Sequence, residues 1–290
     1  MKLIFVGGMQ RSGTTLLGRV LASHPDVGGL TGTPTSEDEG QFLQDVYLTD
    51  HEMGRQSRRH LRGAVNHWAF HPEAHLTEAD AAKRPGAAGR LEAAWAPFWS
   101  TTSAAWGVEK SPSNLTRMRF LQELFPDSTS IVITRHPVTQ ALAVRKWAHV
   151  RARIGADLPQ LIAHWITAME QFESDRHYLR STLVVKYEDL VATPVSTMAE
   201  VTSHIGLEAG RTNLNGISDR DSEYRRYWAA IRGEIKPFEP LNQKGTVARE
   251  LARLAERVVV PTYGRHQVQR MVQELEPRIR RFGYSFEDLG

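Results

Sequence analysis

The sequence predicts an α/β fold, a single P-loop-containing domain whose mostly parallel central sheet is flanked by helices. Three observations carry that expectation. Short apolar runs of strand length recur along the chain, amphipathic segments of helix length lie between them, and the first run enters its helix through a glycine-bearing loop. Leu3–Val6 is apolar throughout and stops at Gly7 and Gly8, the pattern of an inner strand covered on both faces. In Thr14–Ala22, Leu16, Leu17, Val20 and Leu21 fall on one helical stripe. Strand signals return as SIVIT at Ser130–Thr134 and LVVK at Leu183–Lys186, with a weaker one at Trp106–Val108. Helical patterns cover Asn114–Phe125, Thr139–Val150, Pro159–Leu179 and Pro194–Ile205. Two stretches break the rhythm. Residues 50–105 hold no good strand and are expected as a helical insertion; residues 213–248 are polar, punctuated by Gly and Pro, and are expected as a lid loop. Both are expected at the carboxyl edge of the sheet, where open α/β folds place ligands. The reading is of one domain over residues 1–290.

Composition narrows the function class. With 290 residues, 41% hydrophobic and 24% charged, the chain has the figures of a globular protein. It has no Cys, which excludes disulfides, thiolate zinc sites and a thiol nucleophile. Thirty-six Lys and Arg against 33 Asp and Glu leave +3, with no basic block of the kind that binds nucleic acid. No stretch is apolar for long enough to span a bilayer, and Leu3–Val6 is too short for a signal-peptide core, so a cytoplasmic protein is expected. His67 and His71 are four apart, but Pro72 interrupts them and neither HExxH nor Cys accompanies them; no metal is expected.

The most informative stretch is Gly8–Thr15, GMQRSGTT, placed between strand and helix. There, successive backbone amides and the helix N-terminus make a phosphate cradle, to which the hydroxyls of Ser12, Thr14 and Thr15 add donors. A nucleoside-triphosphate loop carries Lys immediately after its second Gly. Thr14 holds that position here, and the cation sits three residues earlier at Arg11.

With this loop, EKSP at Glu109–Pro112, ITRHP at Ile133–Pro137 and VKYEDL at Val185–Leu190, the chain resembles the sulfotransferases that use 3′-phosphoadenosine 5′-phosphosulfate (PAPS). It looks closest to bacterial relatives of the tyrosylprotein and heparan-type branches. The resemblance implies PAPS as co-substrate without a metal, and transfer of its sulfuryl group by in-line displacement to an acceptor hydroxyl. Arg11, Ser12, Gly13, Thr14 and Thr15 would hold the 5′-phosphosulfate, with Arg11 also stabilising the leaving oxygen. Arg135 would clamp the 3′-phosphate, Tyr187 would lie near the adenine, and Lys244–Gly245 would close over the 3′-phosphate. Where many members have a second clamping Ser, this chain has Ala143; Thr139, or Arg145 and Lys146, could replace it, or Arg135 could hold the 3′-phosphate with less help. The segment SEDEGQFL offers three carboxylates, of which Glu39 is the expected base and Glu37 the second choice. Ser36 and Glu39 also fit a capping box. Lys110 is expected to stabilise the transition state as a point charge.

The alternatives are a P-loop small-molecule kinase, against which Thr14 argues, and a non-catalytic nucleotide-binding protein. The acceptor is expected to be a small molecule or a carbohydrate- or lipid-linked hydroxyl, and peptide tyrosine also stays open. Trp68, Trp95, Trp99, Trp106, Tyr224 and Trp228 could stack on it or simply fill the core.

Overall fold

The computed structural model describes residues 1–56, 64–147, 158–232 and 268–289. The chain opens with β1 (Lys2–Gly8), turns through the loop into α1 (Thr14–Ala22), and forms a short strand, β2 (Val27–Gly29). The 50–105 stretch carries α2 (Asp50–Gln56), α3 (Glu78–Ala82) and α4 (Ala87–Trp95), and β3 (Trp106–Lys110) follows. Then come α5 (Met118–Leu124), β4 (Thr129–Thr134), α6 (Pro137–Trp147), α7 (Leu158–Asp175) and β5 (Thr182–Lys186). The remaining helices are α8 (Tyr187–Ala192), α9 (Pro194–Ile205), α10 (Ser222–Arg232) and α11 (residues 268–280).

The five strands pair in the order β2-β3-β1-β4-β5, and every pairing is parallel. Alternate side chains of β1 part to opposite faces, as the pleat requires. Ile4 and Val6 join Leu17, Leu21, Met198 and Val201 from α1 and α9 in one core; Leu3 and Phe5 join Trp95, Leu121, Ile162 and Trp165 from α4, α5 and α7 in the other. A sheet buried on both faces explains the unbroken apolar runs of β1 and β4.

Four elements differ from the sequence expectation. β2 is only Val-Gly-Gly, too short and too poor in side chains to give an apolar run. The helix expected over Asn114–Phe125 is split into a 3₁₀ turn at Pro112–Thr116 and α5. The reason is Asn114, whose amide donates to the Val6 carbonyl at 3.3 Å and to Glu109 Oε2 at 2.6 Å, tying that turn to the strands. Within the expected loop 213–248, residues 222–232 form α10, because Tyr224, Tyr227, Trp228 and Ile231 recur at helical spacing and the last two are buried.

β3 also runs further than its apolar signal, to Lys110. Parallel register with β1 sets Glu109 beside Phe5 and Lys110 beside Val6. Two charged residues at the end of an inner strand are costly unless paired, which directs attention to this edge.

Candidate active site

The carboxyl ends of four adjacent strands converge. β3 ends on Lys110, β1 runs into the Gly8–Thr15 loop, β4 is followed by Arg135, and β5 by Tyr187. The chain leaves β1 towards β2 and β3 on one side and later crosses to β4 and β5 on the other, the topology that opens a ligand crevice at the strand ends.

The loop is curled by left-handed backbone at Arg11 (φ 69°) and Gly13 (φ 100°). Gly13 is the N-cap of α1, which has no capping side chain and no acidic residue in its first turn. The first amides of such a helix await an acceptor from elsewhere, and an anion supplies one. Ser12 is fully buried, and its hydroxyl has no hydrogen-bond partner. A buried orphan hydroxyl beside an uncapped helix start is the donor set a phosphate uses. Gly13 is also needed for space: a Cβ there would lie 2.7 Å from Tyr187 Cδ2 and 3.1 Å from Ile133 Cδ1.

Glu39 and Lys110 form a buried ion pair, with Nζ 3.1 Å from Oε1. Lys110 also donates to the Glu37 carbonyl at 2.9 Å, and Gln41 donates to the other Glu39 oxygen at 2.7 Å. Each carboxylate oxygen therefore keeps a lone pair for a further proton. Burial pushes the Glu39 carboxyl up to about 7; Lys110 pulls against that rise and Asp50 adds to it. The other acidic residues of this segment face elsewhere. Glu37 is exposed, 3.7 Å from Arg19, and Asp38 accepts from the amide and hydroxyl of Thr33. Glu39 follows a 3₁₀ turn, Ser36–Asp38, whose N-cap is Thr35, so it does not complete a capping box. All three are strained or extended rather than helical: Glu37 and Asp38 have φ of 62° and 50°, and Glu39 is in the β region.

A second buried carboxylate holds this segment in place. Glu109 points to the opposite side of β3 from Lys110 and accepts from the Gly40 amide, Ser111 Oγ and Asn114 Nδ2 at 3.0, 2.6 and 2.6 Å. Burial raises its pKa, and those donors oppose the rise. Only glycine fits at position 40, where a Cβ would come within 2.8 Å of both Glu109 and the Trp95 indole nitrogen. Gln41 is pinned in turn: its Oε1 accepts from the Asp50 amide at 3.0 Å and from Ser113 Oγ at 2.8 Å. Gln10 of the loop donates to Asp50 Oδ2 at 2.8 Å and accepts from Trp68 Nε1 at 2.9 Å. Gln10, Gln41, Asp50 and Glu109 thus orient the Glu39–Lys110 pair. In the sequence, only the Glu-x-Gln and Glu-Lys-Ser spacings hint at this role.

Arg135 is buried on the other side of the loop. Its guanidinium donates to the Arg11 carbonyl at 2.5 Å and is paired through Nη2 and Nε with the buried carboxylate of Asp221. One face of the guanidinium lies 4.4 Å from the centre of the Tyr187 ring, and Tyr224 lies 5.5 Å away. Tyr187 itself sits against Gly13 at the strand-to-helix corner, and burial raises its phenol pKa. Ala143 is buried, and the hydroxyl of the buried Thr139 is spent on the His136 carbonyl at 2.9 Å. Of the two other replacements considered for the missing Ser, Arg145 is half-buried on α6; the side chain of Lys146 and the whole of Lys244 and Gly245 lie outside the described residues. The described histidines of residues 64–75 have structural partners: His75 bonds Asp175 at 2.9 Å, His71 accepts from the Glu73 amide, and His67 stacks on His164, which burial drives down to about 3; His60 lies outside the described residues. Among the described residues no His, Asp and Glu group is arranged to hold a metal, and no helix among them is long and apolar enough to cross a membrane.

A family model described as "Sulfotransferase family" matches residues 4–211. Nodulation protein NoeE of Sinorhizobium fredii is 23% identical over 253 aligned residues, covering 77% of this chain and 54% of that protein. The chain thus spans about half the length of the curated relative it matches. Among solved structures, sulfotransferase STF1 from Mycobacterium tuberculosis superposes with a TM-score of 0.44 at 19% identity, covering 79% of this chain and 76% of that one. A sulfotransferase from Alicyclobacillus acidocaldarius gives 0.44 at 16%, with 82% and 97% covered.

Proposed function

Because the chain belongs to the sulfotransferase family, we propose that it transfers a sulfuryl group from PAPS to an acceptor hydroxyl, with Glu39 as base. The observation that carries the proposal is the buried Glu39–Lys110 pair at the sheet edge beside the phosphate loop. PAPS supplies an activated sulfur bonded to a phosphate oxygen. The acceptor oxygen bonds to that sulfur as the sulfur–oxygen bond to the 5′-phosphate breaks. The hydroxyl proton passes to Glu39, and the bonding pair leaves with the phosphate, the product being adenosine 3′,5′-bisphosphate (PAP).

The chain's own residues divide the work. Ser12, the first amides of α1 and Arg11 hold the 5′-phosphate and receive the charge that grows on its bridging oxygen. Lys110, bonded to Glu39, serves both, stabilising the departing oxygen and keeping the buried base ionisable near neutrality. Arg135 and Tyr187 take the 3′-phosphate and the adenine end. A sulfuryl group carries less charge than a γ-phosphate, which agrees with Thr14 standing where kinases need Lys.

Calorimetric titration tests the nucleotide assignment. PAP is expected to bind without a divalent ion; binding of ATP that depends on Mg²⁺, with none of PAP, would overturn it. Turnover of PAPS on a panel of phenols, free sugars and lipid-linked sugars then tests transfer. Gly13→Ala supplies a check on the loop. A Cβ at φ 100°, pressed on Tyr187, strains the cradle, and PAP affinity is expected to fall by about tenfold to a hundredfold. The circular dichroism spectrum should stay unchanged.

A further inference from the structure

The cation proposed for the 3′-phosphate already has an anion. Asp221 lies just before α10, is 1% exposed, and meets Arg135 with both carboxylate oxygens. That pair, with the Arg11 carbonyl on Nη1, uses the donor edges of the guanidinium that a phosphate dianion would use. Nothing about a buried loop end demands an acid there. The backbone of Asp221 already starts the helix, its carbonyl accepting from the Arg225 amide at 2.8 Å. The far end of α10 is held independently, by Trp228 and Arg232 donating to the Phe286 carbonyl, each at 3.0 Å. The carboxylate can therefore leave Arg135 by rotation and a small shift at the start of the helix.

We infer that Asp221 and the nucleotide's 3′-phosphate are alternative anions for Arg135, so that Asp221 sets how tightly the site holds a 3′-phosphorylated nucleotide and returns to Arg135 as the product departs. The inference rests on the nucleotide reading above. Two like charges cannot share one guanidinium at these distances without strong repulsion, so binding one requires displacing the other. A buried cation stripped of its partner is strongly destabilised. Asp221→Asn keeps the shape and one acceptor but leaves Arg135 with a net charge that a phosphate can neutralise. A nucleotide without a 3′-phosphate leaves the pair undisturbed and is indifferent to the change.

The test is calorimetry with PAP and with adenosine 5′-monophosphate on the wild type and Asp221→Asn. PAP is expected to bind the variant on the order of tenfold more tightly, while the monophosphate affinity stays the same. Weaker or unchanged PAP binding in the variant, or equal tightening for both nucleotides, would overturn the inference. Hydrogen exchange of the wild type needs no variant: PAP should slow exchange across residues 9–15 and speed it across 219–225, and the monophosphate should do only the former. Slower exchange at 219–225 with PAP would also sink the idea. Wild-type protein that binds neither nucleotide would instead bring down the nucleotide reading itself, and this inference with it.

Discussion

Glu39→Gln is expected to lower kcat for sulfuryl transfer by about a hundredfold to ten-thousandfold, the range for losing a positioned general base, while PAP affinity stays within about twofold of wild type. Gln keeps the shape and can still accept from Lys110, so the cradle on β1 is untouched; only proton acceptance is removed. The pH profile adds a sharper criterion. Burial raises the Glu39 carboxyl to about 7, and a base works only when ionised. Wild-type kcat/KM should therefore rise with pH, reaching half its plateau near 7, and the Gln variant should lose that limb. Wild-type rates that are flat from pH 5 to 8 would show that another group takes the proton, and Glu37 would be the first to examine. A Glu37→Gln variant is expected to behave like the wild type, because that side chain is exposed and turned towards Arg19.

Lys110→Ala is expected to cost about a hundredfold to a thousandfold in kcat, as for loss of one donor to a developing oxyanion. Its second effect has the opposite origin from the Gln change. Lys110 holds the Glu39 pKa down against burial. Without it the carboxyl remains protonated to higher pH, and the rising limb of the profile should move above 7. A variant with reduced kcat but an unmoved limb would mean that Lys110 acts on the leaving oxygen alone. An unreduced kcat would remove it from the mechanism. Glu39 and Lys110 are in direct contact, so their effects are not expected to add, and the double variant should be little slower than the worse single one.

The framework of the fold was legible because it is written locally. Apolar runs at β1, β4 and β5 and the stripes of α1 and α9 are covered by sheet and helix wherever they fall, so periodicity alone places them. The elements that escaped lack such a signal: β2 is two-thirds glycine, and α10 carries its apolar residues in a strongly polar helix. The break before α5 depends on Asn114 reaching Val6, 108 residues away along the chain.

The amino-acid sequence on its own determined the glycine-bearing loop between β1 and α1, its strand-and-helix setting and the cation types near it. Those follow from neighbours a few residues apart, where backbone sterics and helix-end amides decide. Only the tertiary structure decided which carboxylate of the Glu37–Glu39 segment meets Lys110, and that Arg135 is held by Asp221. The partners in those ion pairs lie 71 and 86 residues apart in sequence. Their energetics come from burial at a shared edge, a quantity that exists only once the strands are in register.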